Sequence, residues 1–521
     1  VNLIVSAERF LLRNRCNGTF QDVTTAAGVA GRSNGRSRDA AWADYDNDGF
    51  LDLFVAYDEL AGPNQLFRNQ GNGTFIDVAS AASLNNIGSG FNANWADYNN
   101  DGWMDLFLVR SGIQTDILYK NNGNGSFTDV TASVGIVDTA QGRDAVWGDF
   151  NNDGFQDLYV VGATGINHLF RNNGGASFTD ISTPPTLANT GNSLGAAQGA
   201  AVGDFDNDGD LDLVVVQSTL TGGTNEDILF RNDGGSPLTF SAFTLQDFTE
   251  AHAAAFGDYS GDGQVDLFVG GAGAQSDWLW LNAANLNDWL VVRLAGSASN
   301  RMGVGARVEV TADLDGNAGT PPVTQFKQVL AGSKGQGAIE AAFGLGKTVV
   351  ERKKVDTLTV VWPRSGITQT FTDLAVNQII TVSEGPLSVI VTRVSPGSGT
   401  TAGGTVVVVS GDNFDSDAMV TFDGIAATVT PPVGRRSITV TTPPHGTGLA
   451  DVTVTNPSRA VGDPLRQVLH RHPRIELVAV GHLEREKYPT AAIQSLVAPY
   501  EKVFEAQGLA LYCRGGYKTS G

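Results

Sequence analysis

The stretch DYDNDGFLDLFVAY, residues 44–57, decides the fold. Its carboxylates alternate with other residues as far as a glycine, and an apolar run follows. With Asp44 as position 1, oxygen-bearing side chains occupy positions 1, 3, 5 and 9, and Gly49 occupies position 6. Alternate residues of a tight loop point inward together, and glycine at 6 permits the turn that closes the ring. The pattern returns from Asp97, Asp149, Asp204 and Asp258, in steps of 53, 52, 55 and 54 residues. The candidate ligands are therefore Asp44, Asp46, Asp48 and Asp52; Asp97, Asn99, Asp101 and Asp105; and Asp149, Asn151, Asp153 and Asp157. The last two copies supply Asp204, Asp206, Asp208 and Asp212, then Asp258, Ser260, Asp262 and Asp266. Position 7, held by Phe50, Trp103, Phe155, Asp210 and Gln264, offers a backbone carbonyl. Hard oxygen donors in this number suit Ca2+ better than a transition metal, so about five structural calcium ions are expected.

An EF-hand shares positions 1, 3, 5 and 6 but needs a bidentate Glu at 12 and flanking helices. Position 12 here is Val55, Leu108, Val160, Val215 or Val269, inside apolar runs that read as buried strands. Each loop thus joins two strands, and Asp at 9 replaces the distal Glu. A metal-free Asp/Asn/Gly turn explains one copy equally well. Five copies that keep positions 1, 5, 6 and 9 favour the metal.

The chain has 521 residues, enough for about three or four domains. With 64 Gly and 3 Met it has the composition of turn-rich β structure. Its net charge is −21. The loops place seventeen carboxylates at positions 1, 3, 5 and 9; five Ca2+ would bring the formal charge to about −11. Acidity of this kind opposes binding to nucleic acid or an anionic membrane, which need a basic footprint. No apolar run reaches 18 residues, so no membrane span is expected. Cys16 and Cys513 stand near opposite ends, and sequence does not decide whether they pair. No signal peptide is visible; VNLIVS aligns with DLFVAY, so the first residues read as the middle of a sixth repeat. Loops that hold calcium at about micromolar to millimolar levels suit an extracellular, periplasmic or cell-surface setting.

Between the loops runs a second motif, LFRNQGNGTFIDV (66–78), repeated at 118–130 and 169–181 and more weakly at 11–23 and 229–240. It reads strand, Asn-Gly turn, strand, and the Asn-Gly pair predicts a type I′ turn. Asn17, Asn72 and Asn124 also satisfy the N-glycosylation pattern, but the turn explains them. Two hairpins per period make four strands in about 50 residues, the size of a β-propeller blade. Trp42, Trp95, Trp147, Val202 and Phe256, each two residues before position 1, are expected between blades.

These blades, over residues 1–284, resemble FG-GAP/VCBS-type repeats, as in integrin α-subunit propellers. The resemblance implies Ca2+ held by the loop Asp/Asn side chains and the position-7 carbonyl; Ser260 departs from the usual Asp/Asn. Residues 285–385, with NDWLVVRLAGSASNRMGVGARVEV (287–310), QVLAGSKGQG (328–337), FGLGK (343–347) and VDTLTVVWPRSGITQTF (355–371), resemble the ASPIC/UnbV domain. GLGKT lacks the first glycine of a phosphate loop, since Ala341 stands there. Arg301, Arg307 and Trp362 are read as salt-bridged and packed residues of a β domain. After the linker EGPLS, residues 386–457 show short strands with Pro/Gly punctuation and resemble an IPT/TIG immunoglobulin-like sandwich.

Residues 458–521 carry net charge +3 and three of the six histidines, with helical periodicity in PTAAIQSLVAPYEKVFEAQ. They read as a small α/β or irregular tail. The whole is an all-β chain: propeller, β domain, Ig-like sandwich and tail. It has no HExxH, no GxSxG and no Cys/His pair in sequence. A non-catalytic adhesion, matrix or surface-assembly protein is expected, with an extracellular protein or glycan as partner. The alternatives are a carbohydrate-binding propeller and a polysaccharide-active enzyme.

Overall fold

The computed structural model describes residues 2–455 apart from 6–9, 16–18, 31–36, 58–61, 86–89, 113, 137–141, 163–166, 183–195, 219–226, 246–250, 272–276, 283–286, 316–319, 332–338, 348–353, 386–389, 397, 413, 415–417, 435–436, 447–449 and 451. Cys16, Asn17, Cys513 and the tail 458–521 lie outside the described residues. Every regular element among them is a strand, which bears out the all-β reading.

Residues 2–280 form six antiparallel sheets in chain order. The second is typical: Ser37–Ala43, Asp52–Tyr57, Gln65–Asn69 and Phe75–Asp77 pair in sequence. DLFVAY is buried along its whole length because both of its faces meet a neighbouring sheet, so it reads as a continuous apolar run and not as an alternation. The first and last sheets show three strands each, ending in Asn2–Val5, Phe10–Asn14 and Phe20–Asp22, and in Ala251–Gly257, Asp266–Gly271 and Trp278–Trp280. Among the described residues none of the sheets closes on itself.

Five apolar clusters each join two consecutive sheets. Trp95 meets Phe54 of the preceding sheet edge-on at 6.3 Å, and Trp147 meets Phe107 in the same way at 6.2 Å. The repeated large residues before each loop are thus core between sheets, as their spacing predicts. The innermost strands carry buried straps as well: Asp39 accepts from the backbone N–H of Ala93, and Asp144 from that of Ala200. A buried carboxylate paired with a backbone amide fixes the order and spacing of the sheets.

The Asn-Gly turns differ from the two-residue type I′ form. The strands Gln65–Asn69 and Phe75–Asp77 are joined by five residues, closed by Gln70 N–H donating to Thr74 O at 2.9 Å. Asn69 is diverted from the turn: its Nδ2 donates to Leu51 O and its Oδ1 accepts from Gly71 N–H. The sequon residue Asn72 accepts from Thr74 N–H and Oγ1.

Residues 287–383 build two further sheets around Leu290, Val308, Val310, Phe343, Leu358 and Trp362. One orders Ala341–Lys347, Asn287–Ala295 and Gln378–Ser383, with the last pair parallel. The other orders Val323–Gln328, Arg307–Ala312, Lys354–Val361 and Thr368–Ala375. FGLGK lies in a strand, not in a loop that opens a helix, which agrees with rejecting the phosphate-loop reading. Trp362 is fully buried and Arg301 is exposed. Leu330, just beyond Val323–Gln328, packs against two of the inter-sheet clusters, so this domain reaches in among the blades.

Glu384 closes the domain. One of its oxygens accepts from the backbone N–H groups of Ser297, Ala298 and Ser299, each at 2.7 Å, and the other from the hydroxyls of Ser299 and Ser365. These donors, led by the Ser365 and Ser299 hydroxyls, outweigh burial and hold its carboxyl down to about 2 from 4.5. A depressed folded value stabilises above the unfolded one and is lost as pH falls through the folded one. Glu384→Gln is therefore expected to lower stability by roughly 3 kcal/mol at neutral pH, a gap that closes between about pH 5 and pH 2 in denaturant titrations.

The chain divides into two compact units, the second running from Gly385 to His472. Its described part has two sheets. One orders Ile390–Ser395, Val406–Asp412, Ser437–Thr441 and Thr428–Gly434; the other orders Ile425–Ala426, Met419–Phe422 and Val452–Thr455. Val409, Val420, Ile438 and Val440 fill the space between them, which makes a β-sandwich.

Candidate metal centres

Each Asp-rich loop follows the first strand of a sheet and leads into the second. Position-1 Asp holds the turn: Asp44, Asp97, Asp149, Asp204 and Asp258 each accept from the N–H of the glycine at position 6, at 2.7–3.0 Å. Position-5 Asp accepts from the N–H at position 7, as in Asp48 to Phe50 and Asp101 to Trp103. Position-9 Asp ties the loop to the outer hairpin. In every copy its Oδ1 accepts from the backbone N–H of an Asn, namely Asn69, Asn121, Asn172, Asn232 or Asn282, at 2.7–2.8 Å. Its Oδ2 accepts from the N–H at position 2.

In the first loop Asp44, Asp46 and Asp48 each bring an oxygen within 4.8 Å of the others, and Asp204, Asp206 and Asp208 do so in the fourth. Asp52 and Asp212 stand outside those groups and carry the hairpin tie. Asn99, Asn151 and Ser260 hold position 3 elsewhere, so fewer charges converge in loops two, three and five. Asp44 Oδ1 and Asp206 Oδ1 are buried and meet no hydrogen-bond donor among the described residues. A buried carboxylate oxygen without a donor is costly unless a cation meets it.

Electrostatics say the same. Burial, then repulsion by Asp48 and Asp46, pushes the Asp44 carboxyl up to about 7. Burial drives Asp52 to about 9, Asp157 to about 8 and Asp212 to about 10, and Asp105 well above the usual range. Asp97 rises to about 6 and Asp149 and Asp208 to about 7 from the same cause. Protein groups alone do not accommodate these charges. A hard divalent cation would neutralise them, and the all-oxygen donor set fits calcium.

Sequence reading missed two sets of residues. One is the hairpin Asn just described. Its Nδ2 donates to the carbonyl at loop position 8 and, from Asn121 onward, to the position-2 carbonyl of the preceding loop, as in Asn121 to Tyr45 O at 2.8 Å. The other is Asn at loop position 4, present as Asn47, Asn100, Asn152 and Asn207, with φ between 54° and 57°. Each donates from Nδ2 to the position-6 glycine carbonyl of the next loop: Gly102, Gly154, Gly209 and Gly263, at 2.9–3.3 Å. The repeat of Asn at one position was the available signal, but a turn explains it just as well.

The domain at 287–383 rests on these loops. Gln328 Oε1 accepts from Asp97 N–H at 2.9 Å, and Gly344 N–H donates to Asp204 Oδ2 at 3.0 Å. Arg307 Nη1 donates to Asn100 Oδ1 at 2.6 Å and to Gly154 O at 3.0 Å, while its Nε pairs with Glu309. Arg364 donates to Asp48 O. The position-6 glycines have φ of 86–102°, where side chains other than glycine are strained. At four of the five a Cβ would also run into this domain: into Arg364 at Gly49, Arg307 at Gly154, Leu314 at Gly209 and Trp289 at Gly263. Lys327 places its ammonium near Asp204 and Asp212 and partly offsets the carboxylates of loop four.

Residues 6–55, 44–108, 97–160 and 149–215 match the FG-GAP-like repeat, residues 296–388 match ASPIC and UnbV, and residues 389–467 match the IPT/TIG domain. The chain carries FG-GAP-like repeats, an ASPIC and UnbV domain and an IPT/TIG domain, in that order. Cartilage acidic protein 1 of Xenopus tropicalis is 26% identical over 415 residues, covering 73% of this chain and 59% of the relative. The human protein of that name is 26% identical over 308 residues, covering 54% of this chain and 44% of its own length. The chain spans about half the length of the curated relatives it matches. Among solved structures, the Photorhabdus luminescens Tc holotoxin pore aligns with 79% of this chain and 19% of its own at 14% identity, with a TM-score of 0.31. The order of the three domain types agrees with the resemblances read from the sequence, and in these terms the ASPIC and UnbV domain sits on the Asp-rich loops of the FG-GAP-like repeats. Among the described residues no helix is long and apolar enough to cross a membrane.

Proposed function

We propose that this is a secreted, non-catalytic modular protein for adhesion, matrix or cell-surface assembly, in which about five structural Ca2+ ions lock the loops of the FG-GAP-like repeats. The observation that carries the reading is the loop repeated five times, in whose first and fourth copies a buried carboxylate oxygen meets no donor among the described residues. Position-1, 3, 5 and 9 side chains, with the position-7 carbonyl, would hold each ion. Calcium supplies positive charge there and no chemistry on a substrate. Carboxylates committed to a cation are poor general bases, which speaks against catalysis by the one acidic cluster type the chain repeats. Similarity to cartilage acidic protein 1 supports an extracellular setting, where free calcium is high enough for such loops. The lectin alternative needs exposed aromatics at one position per blade; the repeated Trp95, Trp147 and Phe256 are buried.

The test is binding of the full chain, coupled to beads, to panels of matrix proteins and glycans with calcium and with chelator. Retention on one class that disappears on chelation supports the reading. Turnover of a polysaccharide, abolished by changing an acid outside the loops, contradicts it.

A further inference from the structure

We propose that Asn47, Asn100, Asn152 and Asn207 are positioning residues that couple the calcium loops into one cooperative series, and that Arg307 locks the second joint of that series from the ASPIC and UnbV domain. The inference rests on the calcium reading above and goes beyond it, because that reading treats the loops as independent sites.

The joint is built from one peptide group. The carbonyl of Gly154 receives Asn100 Nδ2 of the previous loop at 2.9 Å. The N–H at the other end of the same peptide, that of Phe155, donates to the candidate ligand Asp153 at 3.0 Å. The other joints repeat this: Gly102 O takes Asn47 while Trp103 N–H meets Asp101, and Gly209 O takes Asn152 while Asp210 N–H meets Asp208. Gly263 O takes Asn207 while Gln264 N–H meets Asp262. A peptide group is planar, so fixing its carbonyl fixes its N–H. The Asn side chain of one loop therefore sets where the position-5 carboxylate of the next loop is held.

The Asn itself lies between ligand positions 3 and 5 of its own loop, in the left-handed conformation that Asn tolerates better than most residues. Closure of one loop around an ion thus orients the donor that shapes the next loop. The fifth loop, which has no described successor, carries Gly261 at this position, with φ 76°. The turn is retained there and the donor is not. Arg307 is the independent observation. It comes from another domain, more than 150 residues away in sequence, and bonds both halves of the joint, Asn100 Oδ1 and Gly154 O. Outer groups of this kind orient ligands and tune affinity without touching the ion, and coupling between sites is reciprocal in free energy.

Asn100→Gly is the informative change, because glycine keeps the positive φ and removes the side chain that donates to Gly154 O and accepts from Arg307; Asn152→Gly tests the coupling at a joint for which no bond from Arg307 is described. Calcium titration of the full chain against a chromophoric chelator, under conditions where circular dichroism matches the parent chain, is expected to show two ions weakened about tenfold and a shallower isotherm. Asn152→Gly should weaken the ions of loops three and four in the same way. Arg307→Gln should reproduce part of the Asn100→Gly effect, and Arg307→Lys should restore some of it. Gly261→Asn should titrate as the parent does. Parent-like isotherms for both Asn100→Gly and Asn152→Gly would overturn the coupling while leaving calcium binding intact. A parent chain that binds no calcium would overturn both.

Discussion

Chelation of calcium is expected to lower the melting temperature of this chain by on the order of 15 °C or more. An ion present at a hundred times its dissociation constant stabilises the state that binds it by about 2.7 kcal/mol, and five such loops act on one body of packed sheets. A change of about 1 kcal/mol moves the melting point of a large domain by roughly 2 °C or somewhat less. The loss should be larger than this sum implies. Without the ion, burial and then repulsion from neighbouring loop carboxylates push Asp52, Asp157 and Asp212 up to about 9, 8 and 10, so at neutral pH they take up protons and the ionised loop geometry is lost. The ASPIC and UnbV domain should loosen with the loops it rests on, since Gln328, Arg307 and Arg364 bond the loop backbone or its Asn. Differential scanning calorimetry with excess calcium and with chelator reads both effects. A melt that does not move on chelation would leave the loops as turns.

The second large effect belongs to position 9. Asp105 is fully buried; its oxygens accept from Asn121 N–H at 2.7 Å and Tyr98 N–H at 3.2 Å. Asp105→Ala strands two buried N–H groups, at about 1–3 kcal/mol each, and removes a candidate ligand. In calcium the expected loss is roughly 4 kcal/mol or more. Asp101→Ala provides the contrast. Asp101 is exposed, so this variant should also lose an ion but only a fraction of that stability. Under chelator Asp101→Ala should match the parent to within about 1 kcal/mol, whereas Asp105→Ala should remain destabilised. Urea melts of the three proteins in both buffers separate the ligand role from the tie to the hairpin. Equal losses for the two variants would contradict the division of labour within the loop.

The loops, their spacing and the strands on either side were legible because each depends on residues within about fifteen positions. Gly at 6 and Asp at 1, 5 and 9 report the turn directly, and DLFVAY reports a strand buried on both faces. The domain order was legible for the same reason, since each domain is a run of local patterns. What was not legible depends on partners far apart in the chain. Gln328 and Asp97 are 231 residues apart, and Arg364 and Asp48 are 316 apart. Nothing local to Arg307 distinguishes a salt bridge to Glu309 from a clamp on two loops; the structure shows both. Asn at position 4 repeats visibly, yet a left-handed turn already explains Asn there, so its inter-loop bond stayed hidden. The Asn-Gly turns read as two-residue turns because a pair such as Asn72–Gly73 suits a type I′ turn, whereas Asn72 accepts from Thr74 inside a five-residue connection closed by Gln70 N–H to Thr74 O. Glycine at position 6 carries positive φ in every loop and, in all but the second, the close approach of the second domain as well; only the first constraint shows in sequence.

The most direct measurement is the number of calcium ions bound per intact chain, by native mass spectrometry in millimolar calcium. The account predicts about five ions, released together on chelation. Zero or one bound ion would contradict it, and the buried Asp side chains of these loops would then need a different source of neutralising charge.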